Sequence, residues 1–367
     1  MEDSRNRILI VSNMYPGKHS ETYGIFVKNQ VEALRKKGHK IDVAAIDDAR
    51  TGKFNNMRKY LVWLLHALYA VFRYKDNYKL VHAHYVFPSG LIGLLSKKLF
   101  GTKLVVTAHG GDINKLAKKN KFYFNQTKRI LQASDVIIAV GEDLQKQIIE
   151  DFHVDSNNVR LMSMGVDRSV FAPIPKFKAK KETAFDIEGF HILFVGNHIR
   201  EKGLMELLES YQQLKAQYDY LRLHLIGSQK NQEFLEELNQ RIEEKRIIGV
   251  SLHGPKNQEE LSKYMAAADV LVLPSYSEGF GLVALEAMSA NTPVVGSDVG
   301  GLSHLLAENA GILVKPKDSA ALSAGIEELI RDPEKGNLLV AQGDKKAELF
   351  SQQRIIEELS QIYQLVD

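Results

Sequence analysis

The chain of 367 residues contains no cysteine. That excludes disulfides and thiolate metal sites, and it fits a reducing cytoplasm. No apolar run is long enough to cross a bilayer. The longest, Leu61 to Phe72, has 12 residues and is interrupted by His66, whereas a span needs about 20. Met1 to Arg7 is charged and Ile8 to Ser12 is short, so no secretory leader is expected. An Asp-x-Asp metal motif is also missing, and no solenoid-type repeat breaks the chain into small units.

What is present suits a globular protein of two domains: 44% hydrophobic and 25% charged residues over a length too great for one ordinary core. Net charge is +3, but residues 1–165 carry +11 and residues 166–367 carry −8. A basic half joined to an acidic half suggests that the first faces an anionic surface or substrate; a chance excess of solvated lysines reads the same way.

Alternation of apolar runs with helical patterns predicts parallel sheets in both halves. In the first half, strands are expected at Arg7–Ser12, Lys40–Ile46, Leu80–Tyr85, Lys103–Ala108, Asp135–Val140 and Val159–Ser163. In the second, they fall at His191–Val195, Arg222–Ile226, Val250–His253, Val270–Leu273, Pro293–Gly296 and Gly311–Val314. Between the halves, Pro173, Pro175 and a lysine-rich segment to Glu182 read as a linker or exposed connection. Residues 53–75 form a helical run with basic, aromatic edges, which fits either a helix packed on the sheet or one that lies on a membrane.

The chemistry concentrates at strand exits, where open parallel sheets bind their ligands. Pro274 to Glu278 leads through Gly279, Phe280 and Gly281 into a helix beginning at Leu282, a geometry that offers free N–H groups to a phosphate. Glu286 is the only charged residue between Glu278 and Asp298, so it is either solvated on a surface helix or bound to something. Both carboxylates could accept hydrogen bonds from sugar or ribose hydroxyls. Gly279 to Ala284 also fits a dinucleotide fingerprint with Asp298 downstream, but five residues part the strand from its first glycine.

Arg200 and Lys202 follow another strand and could meet a phosphate. His109 stands where a strand meets Gly110-Gly111, as a functional candidate or a turn residue. His82 and His84 share one strand face as structural or cleft-lining residues.

Taken together, the first strand, Gly24, His109 and its loop, Met164-Gly165-Val166-Asp167, Lys202-Gly203, Glu278-Gly279-Phe280-Gly281-Leu282 through Glu286, and Gly300-Gly301-Leu302 resemble family 4 of the retaining GT-B glycosyltransferases. The similarity is strongest toward members that build bacterial surface polysaccharides such as teichuronic acid.

The resemblance implies an α/β GT-B fold: two Rossmann-like doubly wound parallel-sheet domains facing across a cleft. The expected domains are 1–167 on the acceptor side and 168–351 for the nucleotide sugar, with a final helix at about 352–367 returning to the first. It implies that Glu286 binds ribose, Glu278 binds the donor sugar, and Gly279, Phe280, Gly281 and Leu282 hold sugar and phosphate. Lys202, with Arg200, neutralises the diphosphate. Gly24 lets the first domain approach it, and His109 sits near the reacting centre. Many members carry Arg at the position of Asn197; here the charge must come from Lys202 or Arg200.

The implied reaction moves a hexose-type sugar from a nucleotide sugar, of the UDP class, to a glycan or lipid-linked acceptor. It needs no cofactor, no metal and no nucleic acid. It takes place in the cytoplasm or at the inner face of an anionic membrane. Rival readings are an NAD-dependent oxidoreductase, a catalytically silent nucleotide-sugar-binding protein, and another GT-B enzyme such as a phosphorylase or epimerase.

Overall fold

The structure, a computed structural model, describes residues 6–366; the first five residues and Asp367, which ends the expected C-terminal helix segment, lie outside it. The chain divides into two compact units, residues 1–164 with 352–367 and residues 165–351. The expected boundary at 167/168 falls three residues late. Val166 donates its backbone N–H to Phe350 O at 3.0 Å and bridges to Ser351, which ties Gly165 to Asp167 into the second unit.

The first unit is built on six parallel strands: β1 (Arg7–Ser12), β2 (Lys40–Ala45), β3 (Tyr78–His84), β4 (Lys103–Ala108), β5 (Val136–Ala139) and β6 (Val159–Leu161). Their order in the sheet is β2-β1-β3-β4-β5-β6. β1 and β4 are buried at every position after the first, as expected of parallel strands covered by helices on both faces. One face packs helix α1 (Ile25–Lys36) through Val27, Val31 and Leu34, together with the C-terminal helix Gln352–Leu365 through Ile355, Leu359 and Tyr363. The other face packs α2 (Lys53–Arg73) through Trp63, Ala67 and Val71.

The second unit repeats the plan with β7 (Phe190–Val195), β8 (Leu221–Ile226), β9 (Val250–His253), β10 (Val270–Leu273), β11 (Val294–Ser297) and β12 (Ile312–Val314). The order is β12-β11-β10-β7-β8-β9, all parallel. The chain starts in the middle at β7, runs outward to β9, then returns to the other side of β7 with β10. The order therefore reverses between β7 and β10, and loops leaving these two strands diverge around a crevice.

The segment expected as a linker or exposed connection is largely exposed, but it is helical rather than an open linker. Lys176–Thr183 is a helix packed on the helix Gln258–Ala267. Its lysine-rich composition hides one buried anchor. The Lys180 ammonium donates to Ile187 O at 3.2 Å and Gly189 O at 2.8 Å, and pairs with Asp269 at 3.4 Å. Those acceptors lie far enough along the chain that composition alone reads as exposure. Just beyond, Phe185 stacks on His191 and His224, with ring centres 4.3 and 3.9 Å away.

The C-terminal helix is fixed by a polar contact as well as apolar packing. Tyr363 and His82 are fully buried. Tyr363 Oη lies 2.6 Å from His82 Nδ1, and Thr107 Oγ1 lies 2.7 Å from His82 Nε2. Burial holds the His82 imidazole well below its usual pKa, hence neutral. Tyr363→Phe leaves one buried ring nitrogen unpaired and is expected to cost about 1–3 kcal/mol. Urea unfolding followed by fluorescence of Trp63, the only tryptophan and a core residue of this unit, measures the loss; an unchanged midpoint would contradict it.

Candidate functional site

In the second unit, two strand exits at the reversal point carry the predicted charges. After β7 the chain turns through a short 3-10 segment, Arg200–Lys202, closed by Gly203 at φ 71°. After β10 it runs from Pro274 to Gly281 before the helix Leu282–Ser289 begins. The two loops are stitched together: Tyr276 N–H donates to Glu201 O at 2.9 Å. A Cβ on Gly203 would lie 2.0 Å from Pro274 O, so only glycine permits the approach.

This stitching brings Lys202 and Glu278 into direct contact. Lys202 Nζ donates to Glu278 Oε1, and Ser275 Oγ donates to the same oxygen at 2.9 Å. Both charged side chains are largely but not wholly covered, at 25% and 18% exposure. A cation and a carboxylate 76 residues apart thus share one spot at the mouth of the switch point. Gly301 braces the loop from behind. Its N–H donates to Glu278 O at 3.1 Å, and a Cβ there would lie 2.4 Å from Phe280 Cα. Phe280 packs edge-on against Phe350 at 5.2 Å.

The helix Leu282–Ser289 starts after Gly281 with no side-chain cap on its first N–H groups, which leaves its positive end free for an anion. One turn in, Glu286 is half-buried among Ala284, Leu285, Ala287 and Met288. Among the described residues nothing donates to its carboxylate and no cation pairs with it. Burial pushes this carboxyl up to about 8.

Arg200 is turned elsewhere. Its guanidinium pairs with Glu237 and lies 5.7 Å over the Phe234 ring. Among the described residues, the cation paired with Glu278 is Lys202, and Asn197 adds no charge.

In the first unit, Gly24 takes φ 70° just before α1, and a Cβ would lie 2.6 Å from the Met14 carbonyl. The glycine is required by the packing of the loop after β1. His109 follows β4 and stacks in a row of rings: His84 at 5.4 Å, Tyr85 at 4.5 Å and Phe26 at 5.0 Å. Beneath it, the Asp112 carboxylate accepts from the N–H groups of Val86, His109 and Ile113 at 2.9, 3.1 and 3.2 Å, which locks the turn. Asp112 was not singled out by the sequence reading; its place directly after the glycine pair Gly110-Gly111 was the available signal.

The tautomer of His109 follows from its neighbour. His84 Nδ1 lies 3.2 Å from His109 Nε2, while His84 Nε2 is buried without a partner. A bare lone pair is cheaper to bury than a bare N–H. His84 therefore donates from Nδ1, and His109 keeps its own proton on Nδ1. Burial lowers His84 to about 3 and His109 well below the usual range, so both are neutral at pH 7.

Comparison with known proteins agrees with this architecture. The family described as Glycosyltransferase Family 4 matches residues 24–170, and Glycosyl transferases group 1 matches residues 175–346. A Bacillus subtilis protein named as a teichuronic acid biosynthesis glycosyltransferase, TuaC, is 26% identical over 87% of this chain and 88% of its own. A D-inositol 3-phosphate glycosyltransferase of Pseudarthrobacter chlorophenolicus is 32% identical over 70% of this chain and 63% of its own. Among solved structures, sucrose-phosphate synthase from Thermosynechococcus elongatus superposes with a TM-score of 0.81 at 24% identity, covering 98% of this chain and 99% of that one. Anabaena HepE in complex with UDP gives 0.80 at 19%, covering 97% and 99%. These two establish the fold, GT-B. With both halves matched by glycosyltransferase models, the chain belongs to the family 4, group 1 glycosyltransferases.

Proposed function

We propose that this glycosyltransferase is retaining and moves a hexose-type sugar from a UDP-sugar to a glycan or lipid-linked acceptor in bacterial cell-surface polysaccharide synthesis. The observation that carries the reading is the meeting of Lys202 and Glu278 at the β7/β10 switch point, beside an uncapped helix start. Support for the nucleotide comes from the HepE structures, determined with UDP and with UDP-glucose. The TuaC relative supports the acceptor class. An acceptor carried on lipid would be met at a membrane surface, and the basic first unit suits one.

The physics of the reaction assigns the roles. Breaking the bond from anomeric carbon to phosphate builds negative charge on the departing diphosphate and positive charge on the sugar ring. Lys202 and the N–H groups from Gly281 onward meet the first. Glu278, with Gly279, Phe280 and Leu282, meets the sugar. In this reading the diphosphate competes with Glu278 for the Lys202 ammonium, so each holds the other in position until the donor takes over both. Glu286 accepts from the ribose hydroxyls. His109, neutral and with its proton on Nδ1, serves as a hydrogen-bond donor to the sugar rather than as a cation, and Gly24 gives backbone access. Retention places the acceptor on the leaving-group face, where a phosphate oxygen takes its proton.

A dinucleotide reading of Gly279 to Ala284 fits less well, because the loop from Pro274 to Gly281 is far longer than the tight turn such sites use.

Lys202→Ala is expected to lower donor turnover by about 100-fold or more, from the loss of about 3 kcal/mol at the developing charge. Near-wild-type turnover, measured as release of UDP, would overturn the assignment, and absence of turnover in the wild-type chain would favour a silent binding protein. Glu286→Ala should weaken UDP in calorimetry; unchanged affinity counts against the ribose role. Glu286 also sets a pH slope. Its raised pKa means that the folded chain binds the proton more tightly than the unfolded chain. Stability therefore falls as pH rises from the ordinary carboxylate range to about 8. Glu286→Gln should remove that fall, seen as a melting point that gains on wild type between mildly acidic and mildly alkaline buffer.

A further inference from the structure

His191, His224 and His253 take no part in the site, yet they form one connected row. His191 on β7 pairs with Arg222 on β8, and His224 pairs with Ser251 on β9. Each histidine therefore stands two residues further along its strand than the last, and all three share one face of the sheet. His191 Nδ1 lies 2.9 Å from His224 Nε2, and His224 Nδ1 lies 3.5 Å from His253 Nε2. The first two rings are buried and the third is half-buried.

One carbonyl sets the protons of the whole row. His191 Nε2 lies 2.7 Å from Asp186 O. A carbonyl only accepts, so His191 carries its proton on Nε2. Its Nδ1 then accepts from His224 Nε2, and His224 Nδ1 accepts from His253 Nε2. Every ring is neutral in this order. A proton added to Nδ1 of His191 or of His224 would set N–H against N–H and break the row. Nδ1 of His253, at the half-buried end, is the one ring nitrogen that takes a proton with the row intact.

The surrounding charge opposes an imidazolium. Lys180 faces His191, Arg222 faces His224 and Lys256 faces His253. Asp186 and Asp269 also face His191, but both are engaged. Asp186 pairs with Arg222 at 3.4 Å, and Asp269 pairs with Lys176 at 2.9 Å and Lys180 at 3.4 Å. The helix Gln258–Ala267 contributes the Tyr264 ring, 5.6 Å from His253, and its Lys263 pairs with Glu182 at 3.1 Å. Burial above all holds the three histidines below their usual range, His224 at about 3.

The row seats a segment of the chain. Phe185 lies nearly flat on His191 and His224, at 11° and 18° to their planes. It belongs to a small apolar cluster with Ala179, Ala266 and Ala267, edged by Ile174 and Tyr264. With so few apolar side chains holding it, this region is able to open by itself. We propose that the row is an acid-sensitive latch: protonation of its imidazoles frees residues 174–189 from the sheet while the strands stay folded. Charging the row removes the bonds that align the rings beneath Phe185, and the Asp186 carbonyl leaves with the segment. Docking excludes protons that the released segment's partners accept. It is therefore strongest above the ordinary histidine pKa of 6.5 and weakens as pH falls below it. The latch is independent of the sugar transferred.

The test is hydrogen exchange of the full chain by mass spectrometry at about pH 7.5 and about pH 5, with exchange times scaled to the intrinsic rate. A histidine that is neutral when docked and free to ionise when released raises the opening equilibrium by about 30-fold over that interval. Peptides from 174–189 should lose at least that much protection, while peptides from β10 keep theirs. His224→Gln, which cannot ionise, should shrink the loss by about tenfold or more. Nitrogen-15 NMR of the wild-type imidazoles decides the matter even if that variant does not fold: His191 and His224 should ionise only together with release of the segment. Equal protection of 174–189 at both pH values would overturn the proposal. So would ionisation of the two rings with the segment still docked, opening of β10 along with it, or an undiminished loss in folded His224→Gln.

Discussion

One contact organises the second unit: the Lys202 ammonium against the Glu278 carboxylate. Each comes from a strand exit that the sheet order places at the point of reversal, and neither could be there without the close passage of Gly203 beneath Pro274. A largely covered ion pair of this kind adds little stability, because desolvation offsets most of its attraction. Its worth lies in holding opposite charges ready in fixed places. Ser275 and the backbone link from Tyr276 to Glu201 stiffen both loops, so little reorganisation remains when charge develops on a ligand.

The first unit works by different means. Its candidate histidine carries no charge, because a row of stacked rings and a deep seat keep it neutral. Position and tautomer, rather than electrostatics, are what His84 and Asp112 supply to His109. The same unit carries the excess of Lys and Arg over Asp and Glu. The ion pair of Lys202 with Glu278 in the second unit and the cationic excess of the first are separate features of the two units.

Much of the fold was legible because parallel strands buried on both faces read as short apolar runs. β1, β4, β9 and β10 fall at the bounds expected from sequence, and the remaining strands differ from expectation by one or two residues at their ends. What stayed hidden was pairing at long range. Nothing local to Lys180 announces that its ammonium is anchored by carbonyls beyond the helix. The bond between His82 and Tyr363 joins residues 281 apart. Of the site, the residue types at 202, 278 and 286 could be read from their neighbours, whereas the commitment of Arg200 to Glu237 depends on a helix 37 residues away. Gly24 shows the reverse case: its glycine is visible in the sequence, but the reason for it, the Met14 carbonyl, is visible only in the fold.

The central claim is that Lys202 holds a diphosphate. Calorimetric affinities of UDP and of uridine, for the wild-type chain and for Lys202→Met, test it most directly, because uridine lacks only the diphosphate. The account predicts that UDP binds the wild-type chain about 100-fold more tightly than uridine, and that most of this advantage disappears in the variant while uridine itself is unaffected. An advantage for UDP that survives the loss of Lys202 would contradict it.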